Sequence, residues 1–153
     1  QILMNKLFKI TFFFCLVINF SNIALGNENF FDEGLKLYNE KKYEEARFMF
    51  ERSIVFNPKD SNSYLYLAKI YNHEENKQKE EKNLEATLLI EPSNEEAILM
   101  TMKIGLEKSN YSKVKELSKN FVKVCKKLCN ENKDILETLD NIEPKNESWS
   151  KPK

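Results

Sequence analysis

Over residues 30–58, FFDEGLKLYNEKKYEEARFMFERSIVFNP, apolar side chains recur every three or four positions, the spacing of amphipathic helices and not of strands. Extended along the chain, the pattern predicts helices in antiparallel pairs: 28–40 with 43–57, 61–73 with 76–90, and 94–108 with 111–128. Asp60 or Ser61 is placed to cap the third helix and Ser93 or Asn94 the fifth, each offering an acceptor to an unpaired backbone N–H. On the sixth, Val114, Leu117, Phe121, Val124 and Leu128 form one stripe. A further helix from about Lys133 to Ile142 carries Ile135, Leu136, Leu139 and Ile142. The expected class is all-α.

The pattern then returns. Pro58 is followed 34 residues later by Pro92, and the helix pairs between them align. Phe30, Gly34, Leu37, Ala46, Phe50 and Pro58 in the first unit correspond to Tyr64, Ala68, Tyr71, Glu80, Leu84 and Pro92 in the second, with Leu67 where the first unit has Glu33. Tyr43 and Glu44-Glu45-Ala46 open the first unit's second helix. This order of wedge, small residue, aromatic, alanine, aromatic and proline resembles the tetratricopeptide repeat, a helix–turn–helix of about 34 residues. The small positions let the two helices approach, and proline stops the second one. Glu80 departs from the small alanine, inside the charged run 74–82, which implies either a shifted helix or one whose first turns face water. A third unit from about Glu95 is degenerate: Ile98, Met102 and Gly105 share a face, Asn110-Tyr111 mark the turn, Val114 takes the alanine place and Lys126 the proline place.

The resemblance covers roughly residues 28–125 and implies an antiparallel helix-pair solenoid of about three units, with 133–142 as the terminal helix that covers the last repeat. An unrelated bundle of helical hairpins is the alternative, and the matching prolines weigh against it. The resemblance further implies a non-catalytic scaffold that binds an extended peptide or a partner's helix along the first helix of each pair. Carried over by register, the partner-binding positions are Phe31, Leu35 and Tyr38, then Leu65, Lys69 and Asn72, then Leu99, Lys103 and Leu106. That strip suits a peptide with apolar side chains and a carboxylate. In the competing reading, Phe31, Leu65 and Leu99 pack against neighbouring helices.

Before the first helix, Lys6 and Lys9, the apolar run Ile10–Phe20 and Ala24-Leu25-Gly26 compose a basic, an apolar and a small-x-small segment in the order of a secretory signal peptide, 1–26. The run is shorter than the ~20 residues of a membrane span, and Asn19 interrupts it. An uncleaved leader, making a membrane-anchored adaptor, is the alternative. Phe12-Phe13-Phe14 before Cys15 exclude a lipoprotein signal. The expected organisation is leader 1–26, helical domain 27–142 and disordered tail 143–153, the tail holding the chain's one tryptophan, Trp149. Charge is balanced, 24 basic against 24 acidic side chains, and 22 against 24 once the leader is removed. That balance supports neither a nucleic-acid surface nor, after cleavage, a membrane-binding patch.

Loss of the leader leaves Cys125 and Cys129. An even count in an exported chain suggests a disulfide, and on a regular helix a four-residue spacing puts the Cα atoms about 6 Å apart. Buried free thiols and a redox-active pair are the other readings; the last lacks a Cys-x-x-Cys motif and a βαβ pattern. With a single histidine, His73, there is little room for acid–base or nucleophile–base pairs, and no phosphate loop, Gly-x-Ser-x-Gly or His-Glu-x-x-His motif occurs. No metal site and no cofactor are expected. The sequence reads as a non-enzymatic adaptor, periplasmic or secreted, in a bacterial envelope, alone, self-associated or within a larger complex. A thiol-dependent maturation factor using Cys125 and Cys129 is the alternative.

Overall fold

The computed structural model describes residues 29–142; the expected leader and tail lie outside the described residues. Among the described residues there are seven helices and no strand: α1 Phe30–Asn39, α2 Tyr43–Phe56, α3 Ser61–His73, α4 Lys77–Ile90, α5 Glu95–Glu107, α6 Tyr111–Val124 and α7 Cys129–Ile142. Each helix packs on the next, and α7 returns to touch α5 as well as α6.

The turns inside the three pairs are one device repeated. Lys41, Glu75 and Ser109, each 34 residues from the next, take left-handed backbone at φ 61°, 57° and 55°. The following N–H groups, of Lys42, Asn76 and Asn110, donate to the carbonyls of Leu37, Tyr71 and Gly105, which closes the helix end in a Schellman motif. Asn76 and Asn110 then cap the next helix, accepting from the N–H groups of Lys79 and Lys113. Asn29 and Asn94 cap α1 and α5 in the same way. Asp60 precedes α3, but its carboxylate receives the hydroxyls of Ser53 and Ser63 and leaves the backbone uncapped.

Within each pair, size complementarity sets the approach. Gly34 lies under Phe50, whose ring carbon would stand 2.8 Å from an added Cβ, while Ala46 and Phe50 are fully buried. In the third unit the sizes are inverted. Met102 stands where the first two units have Gly34 and Ala68, and Ser118 where they have Phe50 and Leu84, all buried. Gly105 stands in the aromatic place, and Val114, in the alanine place, fills the space over it, with Cγ2 2.7 Å from where a Cβ would be. The degenerate unit is a repacked one.

Glu80 corrects both expectations for α4. The helix is neither shifted nor turned outward: Glu80 occupies the alanine place and is 1 % exposed. The second correction concerns the end of the third pair. The helix expected to run to 128 stops at Val124, and the terminal helix begins at Cys129, not Lys133. The cause is Glu95 at the start of α5, whose carboxylate accepts three successive backbone N–H groups, Lys126 at 2.9 Å, Lys127 at 3.0 Å and Leu128 at 2.8 Å. Donors aimed at Glu95 are lost to α6, and Cys125 turns extended, φ −63° and ψ 137°. Cys125 and Cys129 therefore flank a turn between helices; their sulfurs stand 2.21 Å apart, at disulfide distance, with Cα atoms 5.4 Å apart.

Three apolar clusters follow the chain. Ala46, Phe50, Leu67, Ile70 and Tyr71 join α2 to α3; Leu65, Ala68, Leu84, Ala97 and Ile104 join α3, α4 and α5. Ile98, Leu99, Met102, Val114, Phe121, Ile135 and Leu139 join α5, α6 and α7. Ile135 and Leu139 thus cover the last pair, while Ile142 is exposed.

Candidate functional site: a charged groove along the first helices

Helices α1, α3 and α5 are the first members of their pairs, and α3 and α5 form a groove of about 460 Å³. Tyr38, Lys69, Asn72, His73, Glu96, Met100, Lys103, Ile104 and Glu107 line it, with Lys77 and Glu80 of α4 at its base. Helical register puts Lys69 and Asn72 on one face of α3, and Glu96, Met100, Lys103 and Glu107 on one face of α5.

The cations of this groove differ in how far they are committed. Lys69 Nζ lies 2.7 Å from Glu96 Oε1 and 4.5 Å above the Tyr66 ring, so it is held on both sides. Lys77 Nζ stands 3.0 Å from Glu107 Oε2 and 3.4 Å from Glu80 Oε2. The hydrogen bond that Lys77 donates to Glu107 leads the effects that hold its ammonium above its ordinary pKa, so it stays charged. Lys103 is exposed and makes no ion pair among the described residues. Burial is the first cause that raises the Tyr38 phenol, with Tyr43, Tyr66 and Glu96 adding to it, so Tyr38 presents a neutral hydroxyl. Beneath them, Asn72 Nδ2 donates to Glu80 Oε1 at 2.8 Å, and Glu80 Oε2 makes no hydrogen bond.

The structure divides the nine positions drawn from the sequence. Tyr38, Lys69, Asn72 and Lys103 meet in the groove. Lys103 and Leu106 also line a shallower hollow of about 280 Å³ against Asp134 and Ile135 of α7. Leu65 and Leu99, 5 % and 2 % exposed, lie inside the helix stack. Leu65 belongs to the cluster that joins α3 to α4 and α5, and Leu99 to the one that joins α5 to α6 and α7. Phe31 is half-buried against Phe50 and Tyr66, ring centroids 5.7 and 5.8 Å apart, and Leu35 is half-buried on the same helix. The register did not single out Glu80, Lys77, Glu96 and Glu107. The mismatch of Glu80 with the alanine place was the one signal that pointed toward them. His73, at the edge of the groove, rests its ring against Tyr43 at 4.4 Å. Among the described residues no group of three His, Cys, Asp or Glu side chains is arranged to hold a metal ion.

No protein-family profile matches the chain, and no curated protein sequence matches it. Solved structures do. The first tetratricopeptide domain of Spaghetti (RPAP3), bound to the HSP90 peptide SRMEEVD, superposes with a TM-score of 0.61 at 15 % identity, covering 72 % of this chain and 90 % of that one. The Sgt2 tetratricopeptide domain of Aspergillus fumigatus gives 0.61 at 16 %, covering 77 % and 79 %. This chain has the tetratricopeptide-repeat fold. A chain of the CopN–Scc3 complex gives 0.61 at 17 %, covering 76 % and 78 %. In this tetratricopeptide solenoid, the groove lies on the face made by the first helix of each unit.

Proposed function

We propose that this protein is a non-catalytic adaptor that binds an extended segment of a protein partner in the groove between α3 and α5. The observation that carries the reading is the groove itself. Four positions drawn by register from the sequence converge there, and one of them, the exposed Lys103, makes no ion pair among the described residues. An uncommitted ammonium beside Met100 and Ile104 suits a carboxylate next to an apolar side chain. The peptide bound to one structural relative, SRMEEVD, has that character, and it supports the reading by analogy of fold.

The location we propose is the periplasm or exterior of a bacterial cell, reached through the leader 1–26. Cys125 and Cys129 at disulfide distance support an oxidising compartment. The test of binding is fluorescence anisotropy against degenerate decapeptide libraries, each with one fixed residue. Libraries fixed as Asp or Glu should bind, and Lys103→Glu should weaken them by about tenfold. Equal binding by wild type and Lys103→Glu would remove the groove as the site. An intact mass that starts near Asn27 in protein recovered from the envelope fraction supports export; a mass that keeps the leader favours the anchored adaptor.

The thiol-dependent factor is the second reading, favoured by both cysteines being only half-buried in the turn. Cys125→Ser/Cys129→Ser separates the two: loss of thiol exchange with partner proteins while the fold persists supports the factor.

A further inference from the structure

Glu80 is the side chain in this molecule that the fold explains least. It stands where the first unit has Ala46, so nothing in the packing of the pair asks for a carboxylate. One oxygen is satisfied by the Asn72 amide at 2.8 Å. The other, Oε2, is buried and accepts no hydrogen bond. A buried carboxylate in an alanine place, with one oxygen left to a shared ammonium, is costly to desolvate, and such groups in folded proteins call for a role. Glu80 also belongs to the groove lining, with Oε2 beneath the half-exposed Lys77 ammonium.

Its nearest cation is already shared. Lys77 hydrogen-bonds Glu107 Oε1 at 3.2 Å and forms an ion pair with Glu80 Oε2 at 3.4 Å. Two carboxylates divide one ammonium, and the trio carries a net negative charge. The Lys77 ammonium also shows what fits beside Oε2: a cation with N–H donors.

We propose that Glu80 reads a basic side chain of the bound partner, whose ammonium or guanidinium enters the groove, hydrogen-bonds Oε2 and takes over from Lys77, which keeps Glu107. With Lys103 uncommitted at the rim, the preferred segment carries a lysine or arginine close to an acidic residue. The inference rests on the groove being the binding site and adds the chemistry that the site selects.

The test uses the same fixed-residue decapeptide libraries with the full chain and its Glu80→Gln, Glu80→Ala and Lys77→Met variants, each checked for folding by circular dichroism. Wild type should favour libraries fixed as Lys or Arg over those fixed as Gln or Leu by about tenfold. Glu80→Gln and Glu80→Ala should erase that preference while keeping the response to Asp or Glu. Lys77→Met should strengthen basic libraries, since it removes the competing ammonium. Glu80→Ala folds by the precedent of Ala46, which guards against misreading an unfolded variant. A basic preference that survives both Glu80 variants, or a Gln library that binds as well as Lys, overturns the proposal and leaves the groove reading intact. No binding by any library overturns both.

Discussion

Gly34 and Gly105 fix how closely two of the helix pairs approach, and each does so against one identifiable side chain. A methyl at Gly105 would stand 2.7 Å from Val114 Cγ2, well inside contact distance, and at Gly34 2.8 Å from the Phe50 ring. Gly105→Ala should therefore cost about 1–3 kcal/mol in urea denaturation, as overpacking does. Adding Val114→Ala, which restores the residue of the first unit, should return part of that loss; additive effects would mean the two side chains do not oppose each other. Glu80 gives the opposite sign. Glu80→Ala removes a buried carboxylate that only shares an ammonium, exposed Asn72 is hydrated, and Lys77 keeps Glu107, so stability should rise by about 1 kcal/mol. A fall in stability would show that Asn72 and Lys77 depend on it. At this scale the sequence was legible wherever size alone decides, as at Gly34, Ala46 and Phe50. It was opaque at Met102, Gly105, Val114 and Ser118, because two inverted size relations fill the same space as two regular ones. Glu80 looked like a flaw in register because a burial partner such as Asn72, eight residues back, cannot be seen in a one-dimensional pattern.

The helix ends carry the next level of order. Each of the three turns inside the pairs closes through a non-glycine residue in left-handed backbone, at Lys41, Glu75 and Ser109. That conformation costs an L-residue roughly 1–2 kcal/mol, part of which glycine would return as unfolded-state entropy. Lys41→Gly, Glu75→Gly and Ser109→Gly should each raise stability by about 0.5–1 kcal/mol, and together they should add, being far apart and without shared partners. A triple variant whose urea midpoint stays at that of wild type would count against stored strain in the turns. These turns also mark a limit of sequence reading. The helices were placed to within a few residues by apolar spacing, but the repeating turn carried no glycine to announce it. The same limit appears at the end of α6. Val124 and Leu128 continue the apolar stripe, and only the distant carboxylate of Glu95 explains why the helix stops between them.

For the molecule as a whole, that turn decides how the stack is finished. Helix α7 packs on α5 and α6, and its Ile135 and Leu139 close the last apolar cluster. Two features hold the turn that precedes it: Cys125 and Cys129 at disulfide distance, and the grip of Glu95 on three backbone N–H groups. The hydrogen bond from Leu128 leads that from Lys127 in holding the Glu95 carboxyl below its ordinary value of 4.5. A carboxyl lowered in the folded state stabilises it above the unfolded pKa and loses that contribution as pH falls through the folded one. Melting temperature should thus drop on acidification below about pH 4.5, and Glu95→Gln should flatten this part of the profile. A bond between the two cysteines would close so short a loop that Cys125→Ser/Cys129→Ser should cost only about 2 kcal/mol. The loss should be local. Hydrogen exchange would show α7 losing protection first, while α1 to α4, built on two other clusters, keep theirs. If α7 and α1 lose protection together in that variant, the solenoid unfolds as one cooperative unit and the turn is no separate latch. If α7 alone opens, its release bares Ile98, Leu99 and Met102, and the end of the stack becomes an apolar face whose exposure depends on the redox state of two cysteines.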